Sequence, residues 1–151
     1  HGVELLPLDE MLGRSDYVSV HCPLNDETKG IINRDTLAKM RSGSILINTA
    51  RGGLVVEADV VAAIESGHLG GAGLDVFEQE PPTPDTALIN LPNVVWTPHT
   101  GGSTKISVHR VGEGAAEQMA WVAEGFWPRD IVNRGVEPRL PLRQRGYPDP
   151  S

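Results

Sequence analysis

Short apolar runs that alternate with helix-patterned segments constrain this chain more than any other feature. Tyr17-Val18-Ser19-Val20-His21 is rich in β-branched side chains and follows Asp16, which predicts a strand. Ser44-Ile45-Leu46-Ile47-Asn48 is a continuous apolar run of the kind expected for a strand buried on both faces. Residues 71–76 and 93–96 predict two further strands, the last ending at Thr97-Pro98. Between them, residues 33–40 open on a capping-type Asn33 and carry Leu37 and Met40 at helical spacing. Residues 57–66 place Val60, Val61 and Ile64 on one face, and Gly67 stops the pattern. Residues 103–124 form a long helical pattern capped by Ser103 or Thr104, with Val108, Val111, Ala115, Met119 and Val122 along it. This alternation predicts an α/β fold with a parallel sheet and flanking helices, and four strands amount to half of a doubly wound sheet.

A length of 151 residues suffices for one domain with a core. The net charge of -7 argues against nucleic acid as a main partner, because phosphate binding needs clustered Lys and Arg. No apolar run is long enough to span a bilayer, so no membrane partner is expected. Cys22 stands alone, which precludes an internal disulfide and fits a reducing cytoplasm. From Phe126 onward, prolines at 128, 138, 141, 148 and 150 predict an irregular tail.

Three constellations carry candidate chemistry, each after a different predicted strand. Asn48-Thr49-Ala50-Arg51-Gly52-Gly53 puts an arginine and two glycines at a strand end; an arginine there suits a carboxylate, and the glycines allow close backbone approach to a ligand. Gly73-Leu74-Asp75-Val76-Phe77-Glu78-Gln79-Glu80-Pro81-Pro82 supplies three carboxylates, of which Asp75 adjoins the expected core. Thr97-Pro98-His99-Thr100-Gly101-Gly102 places a histidine between a strand and a helix start. Singly, each is more often a surface arginine, solvated acids or a structural histidine. Together they supply a carboxylate binder, a proton carrier and an acid to orient it, on one side of one sheet.

These blocks, with Val20-His21-Cys22-Pro23-Leu24, resemble the D-isomer-specific 2-hydroxyacid dehydrogenases over residues 3–125, collinear and in order. The resemblance implies a partial Rossmann-like NAD-binding domain over residues 1–125 and a remnant of a substrate domain over 126–151. It implies NAD as cofactor, with NADP left open, a small 2-hydroxy or 2-keto acid as substrate, and a homodimer. Arg51 would bind the substrate carboxylate, His99 would act as acid and base, and Glu80 would orient His99 and favour its protonated form. Cys22, Pro23, Thr49, Ala50 and Arg51 would line the cofactor groove. Asp75 would contact the nicotinamide carboxamide, with His99, Gly101 and Gly102 beside the ring.

The family's glycine-rich loop and ribose-binding acid have no counterpart here. Gly112-Glu113-Gly114-Ala115-Ala116-Glu117 lacks the third glycine and falls inside a helical pattern. The chain opens on His1 and reads as the C-terminal portion of a longer protein, with the first half of the domain missing, the strand at Tyr17 to Val20 left as an open edge, and little activity alone. Two other readings stand beside the dehydrogenase: an NAD-responsive, corepressor-like binding module, and an inactive fragment.

Overall fold

A computed structural model describes residues 2–133 and 135–144. The expectations for His1, Pro148 and Pro150 fall outside those residues. Two compact units divide between Gly101 and Gly102.

The first unit is a four-stranded, wholly parallel sheet in the order β1 (Tyr17–Val20), β2 (Ile45–Asn48), β3 (Gly71–Leu74), β4 (Val94–Trp96). Its helices are α1 (Leu8–Arg14), α2 (Arg34–Leu37) and α3 (Glu57–Glu65), with 3₁₀ turns at Gly52–Leu54 and Ala87–Asn90. This is the Rossmann-like α/β architecture expected. Strand order never reverses within the described chain, and β1 lies at an edge as anticipated.

Leu12 of α1, Leu37 of α2 and Val60 and Ile64 of α3 share one core with Val18, Val20, Leu46, Ala72 and Leu74 of the sheet. One face is therefore covered by this unit. β2 departs from expectation: Leu46 and Asn48 are buried, whereas Ile45 and Ile47 are only half-buried. Strands in sequential order, joined by crossovers of one hand, put their connections on a single side.

Local chemistry accounts for the element ends. Asn33 caps α2 in a reciprocal box with Thr36. Gly67 follows α3 at φ +75°, the left-handed conformation that closes a helix. α1 was not foreseen; Asp9 and Glu10 in its first turn and Arg14 in its last match the helix dipole, and fully buried Leu12 anchors it.

In the second unit, α4 (Lys105–Ala123) begins at Thr104, whose hydroxyl accepts from the Ser107 N–H at 3.1 Å. It holds no buried residue, and Val108, Val111, Met119 and Val122 are exposed. The Gly112–Glu117 string lies inside this helix, away from any strand-to-helix turn. After it, Phe126 and Arg143 form an isolated bridge, with the Arg143 guanidinium 4.5 Å from the Phe126 ring centroid.

Candidate active site

Sheet register brings the three constellations to one row. Asn48 pairs with Leu74, and Leu74 with Trp96, so the loops after β2, β3 and β4 leave the sheet side by side at its carboxyl edge. In open α/β sheets that edge is where ligands bind.

The loop after β2 is braced by Asn48, which is 1% exposed. Its side-chain amide donates to the Arg51 carbonyl at 2.9 Å, and its oxygen accepts from the Ala50 N–H at 3.1 Å. Arg51 is exposed, with Nη1 donating to the Ala50 carbonyl at 2.6 Å. The glycines here have a role other than ligand approach. A Cβ on Gly52 would lie 1.9 Å from the Phe77 carbonyl oxygen and 2.6 Å from the Glu78 nitrogen, so the two loops touch backbone to backbone. A Cβ on Gly53 would lie 3.1 Å from Leu24.

The loop after β3 carries Asp75 and Glu80. Asp75 is buried and accepts from the Thr97 hydroxyl, the Thr100 N–H at 2.8 Å and the Gly101 N–H at 2.8 Å. Burial pushes its carboxyl up, but these three donors and the His99 charge outweigh burial and hold it below its ordinary value. Its carboxylate thus cradles the turn that carries His99. That residue sits at φ 54°, a left-handed conformation among non-glycine residues that needs such support. A Cβ on Gly101 would stand 2.8 Å from Asp75 Oδ2, which accounts for this glycine; one on Gly102 would meet nothing within 4 Å.

Glu80 Oε1 accepts from the Phe77 N–H at 3.1 Å, and Oε2 lies 2.7 Å from His99 Nδ1. The hydrogen bond to His99, then that from Phe77, keep the Glu80 carboxyl below its ordinary value, with His99 and Arg51 adding their charges. Glu80 thus feels both the His99 and the Arg51 charge. Phe77, Pro81, Pro82 and Pro98 surround the Glu80–His99 pair with a cavity of about 260 Å³. Phe77 itself is buried edge-on against Trp96, with centroids 6.0 Å apart.

Cys22 and Pro23 follow β1 and face Thr49, Ala50 and Arg51 across a groove of about 680 Å³ that also takes in His21 and Leu24. Its lining mixes apolar Pro23, Leu24 and Ala50 with polar His21, Thr49 and Arg51 at the ends of two parallel strands, which suits a cofactor of mixed polarity. Asn48 was not singled out from the sequence; an amide at the end of an otherwise apolar buried strand is the signal that marks it.

A family model described as D-isomer specific 2-hydroxyacid dehydrogenase, NAD binding domain, matches residues 1–101. The D-3-phosphoglycerate dehydrogenase of Mycobacterium tuberculosis (strain ATCC 25618 / H37Rv) is 48% identical over 134 residues, which are 89% of this chain and 25% of that protein. The glyoxylate reductase of Korarchaeum cryptofilum is 42% identical over 135 residues, 89% of this chain and 41% of that one. Among solved structures, D-lactate dehydrogenase with NAD+ from Lactobacillus jensenii superposes with a TM-score of 0.79 at 32% identity, covering 85% of this chain and 43% of that one. The chain thus spans a quarter of the length of the first of these relatives.

Proposed function

We propose, because this chain belongs to the D-isomer specific 2-hydroxyacid dehydrogenase family, that its protein interconverts a small D-2-hydroxy acid and the corresponding 2-keto acid. The observation that carries this reading is the 2.7 Å contact of His99 Nδ1 with Glu80, on the loop beside the one that bears Arg51. NAD(H) accepts or supplies the hydride. The chain's own residues do the rest. Glu80 engages Nδ1 and leaves Nε2 of His99 to take the hydroxyl proton in oxidation or return it in reduction. Arg51 turns its guanidinium fork from the Ala50 carbonyl to the substrate carboxylate. Asp75 keeps the His99 turn in its left-handed form. Cys22, Pro23, Thr49 and Ala50 would hold the cofactor, with Asp75, Gly101 and Gly102 toward its nicotinamide end. The same reading takes the protein as a cytoplasmic homodimer.

The test is NADH oxidation by the full-length protein with glyoxylate, hydroxypyruvate and pyruvate. Turnover with any of them is the expected result. NADH binding without turnover of any would favour a binding module and count against the enzyme.

A further inference from the structure

Arg51 and His99 must hold one small substrate between them, and a displacement of about 1 Å in such a site costs roughly 10²-fold in rate. Asp75 and Glu80 tie the His99 loop to the loop after β3. What ties the Arg51 loop to that same loop is a separate feature. The Glu57 N–H donates to Glu78 Oε1 at 2.9 Å, and the Glu78 N–H donates to Glu57 Oε1 at 2.6 Å. Two carboxylates thus exchange backbone amides across 21 residues of sequence.

Local sequence explains why the exchange is needed. Val56 stands at the N-cap of α3 and offers no side-chain oxygen, so the first N–H of the helix takes its acceptor from Glu78. Beside the exchange, Gly52 lies against the Phe77–Glu78 peptide with no room for a Cβ. Two residues beyond Glu78, Glu80 accepts from the Phe77 N–H and pairs with His99. The pair persists against opposing electrostatics. Burial pushes the Glu57 carboxyl up, the Glu78 N–H draws it down and the Glu78 charge pushes it up again, for a net rise above its ordinary value. Neither acid is among the groups that meet substrate or cofactor in the reading above.

We propose that Glu57 and Glu78 are positioning residues that lock the Arg51 loop to the Glu80 loop, and so set Arg51 against His99. The proposal rests on the dehydrogenase reading of the site. Each acid acts only as an acceptor for the other's amide, so a side-chain amide at either position preserves the lock and a methyl group removes it. A pair of this kind also behaves as one unit: breaking either half releases both loops.

The experiment compares wild type, Glu57→Ala, Glu57→Gln, Glu78→Ala and the double alanine variant in the full-length protein. It measures kcat and KM for a 2-keto acid, the Kd of NADH, and hydrogen exchange of residues 52–57 and 76–80. E57A and E78A are expected to lower kcat/KM for the keto acid by roughly 10- to 100-fold while NADH affinity stays within about two-fold. E57Q should stay within about three-fold of wild type, and the double variant should be no worse than the weaker single. Exchange of both loops should quicken in the alanine variants and recover in E57Q. Unchanged kcat/KM in both alanine variants despite faster loop exchange would overturn the proposal. So would equal losses in E57Q and E57A, or independent, multiplying losses in the double variant. E78A, at an exposed residue, keeps the test decisive if E57A fails to fold. If the wild type turns over no 2-keto acid, the dehydrogenase reading fails on that control, and exchange alone judges the lock: quickened in E78A and kept in E57Q upholds it, unchanged overturns it.

Discussion

Asp75→Asn isolates the support of the His99 turn. Asp75 is 5% exposed and receives three donors: the Thr97 hydroxyl and Thr100 N–H on Oδ1, and the Gly101 N–H on Oδ2. An asparagine keeps one acceptor oxygen. Set in the Oδ1 place, it retains two donors and turns its NH₂ against the Gly101 N–H; set in the Oδ2 place, it loses two. The smaller loss is one charge-assisted bond, worth about 1.5–3 kcal/mol, plus two donors facing each other. Relief of the buried charge and water reaching exposed Gly101 offset part of this, leaving a net cost of about 2 kcal/mol. Asp75→Ala removes all three acceptor contacts and should cost about 4 kcal/mol on the same scale. The local effect at the turn is distinct from the global one. A non-glycine residue in the left-handed region costs about 1–3 kcal/mol to hold, so His99, at φ 54°, relaxes once its cradle is gone and leaves Glu80. Urea denaturation reads the first effect, and hydrogen exchange across residues 97–101 reads the second. kcat should fall roughly 10²-fold with it. Stability within about 0.5 kcal/mol of wild type, together with unchanged exchange at the turn, would refute the cradle.

Three further outcomes follow from the same geometry. Arg51→Gln should raise KM for 2-keto acids by about 10²-fold or more with little change in NADH affinity, read by steady-state kinetics and fluorescence titration, because it removes the charged fork. Asp75 and Glu80 are both held below their ordinary values of 3.8 and 4.5, so the stability they contribute is fully present above those values. It is lost as the pH falls through the depressed values, and an acid melt of Glu80→Gln should show a shallower loss below pH 4.5 than wild type. Ser44→Ala should leave the melting temperature unchanged or raise it, since Ser44 Oγ is buried without a hydrogen-bond partner among the described residues.

How much of this was legible in the sequence depended on the range of the interaction. Asn33, and Gly67 after an apolar helical stripe, are short-range signals: α2 begins directly after Asn33 but ends at Leu37 instead of running to Met40, and α3 ends at Glu65, just ahead of Gly67. The third strand was expected to run to Val76 but ends at Leu74; Asp75 still donates its N–H to the Asn48 carbonyl at 3.0 Å, while its side chain receives the His99 turn. α1 went unseen although Leu8, Met11 and Leu12 have helical spacing behind Pro7. Seven residues with Gly13 among them make a weak isolated helix, and burial of Leu12 supplies what propensity does not. Five apolar positions of α4 marked a face that the described chain leaves exposed, since spacing identifies a stripe and not its partner. Within the site, Arg51, Glu80 and His99 were nameable because collinear motifs carry them. Asn48 as the brace, Gly52 against Phe77 and the Glu57–Glu78 exchange were not, because each depends on which strands become neighbours.

In the proposed reaction His99, oriented by Glu80, moves the hydroxyl proton of the substrate. The most direct measurement is keto-acid-dependent NADH oxidation by the full-length protein beside its His99→Ala variant, with NADH affinity determined for both. The expected result is a kcat lowered by roughly 10²- to 10⁴-fold and an NADH Kd within a few-fold of wild type. A His99→Ala enzyme that keeps near-normal kcat would contradict it.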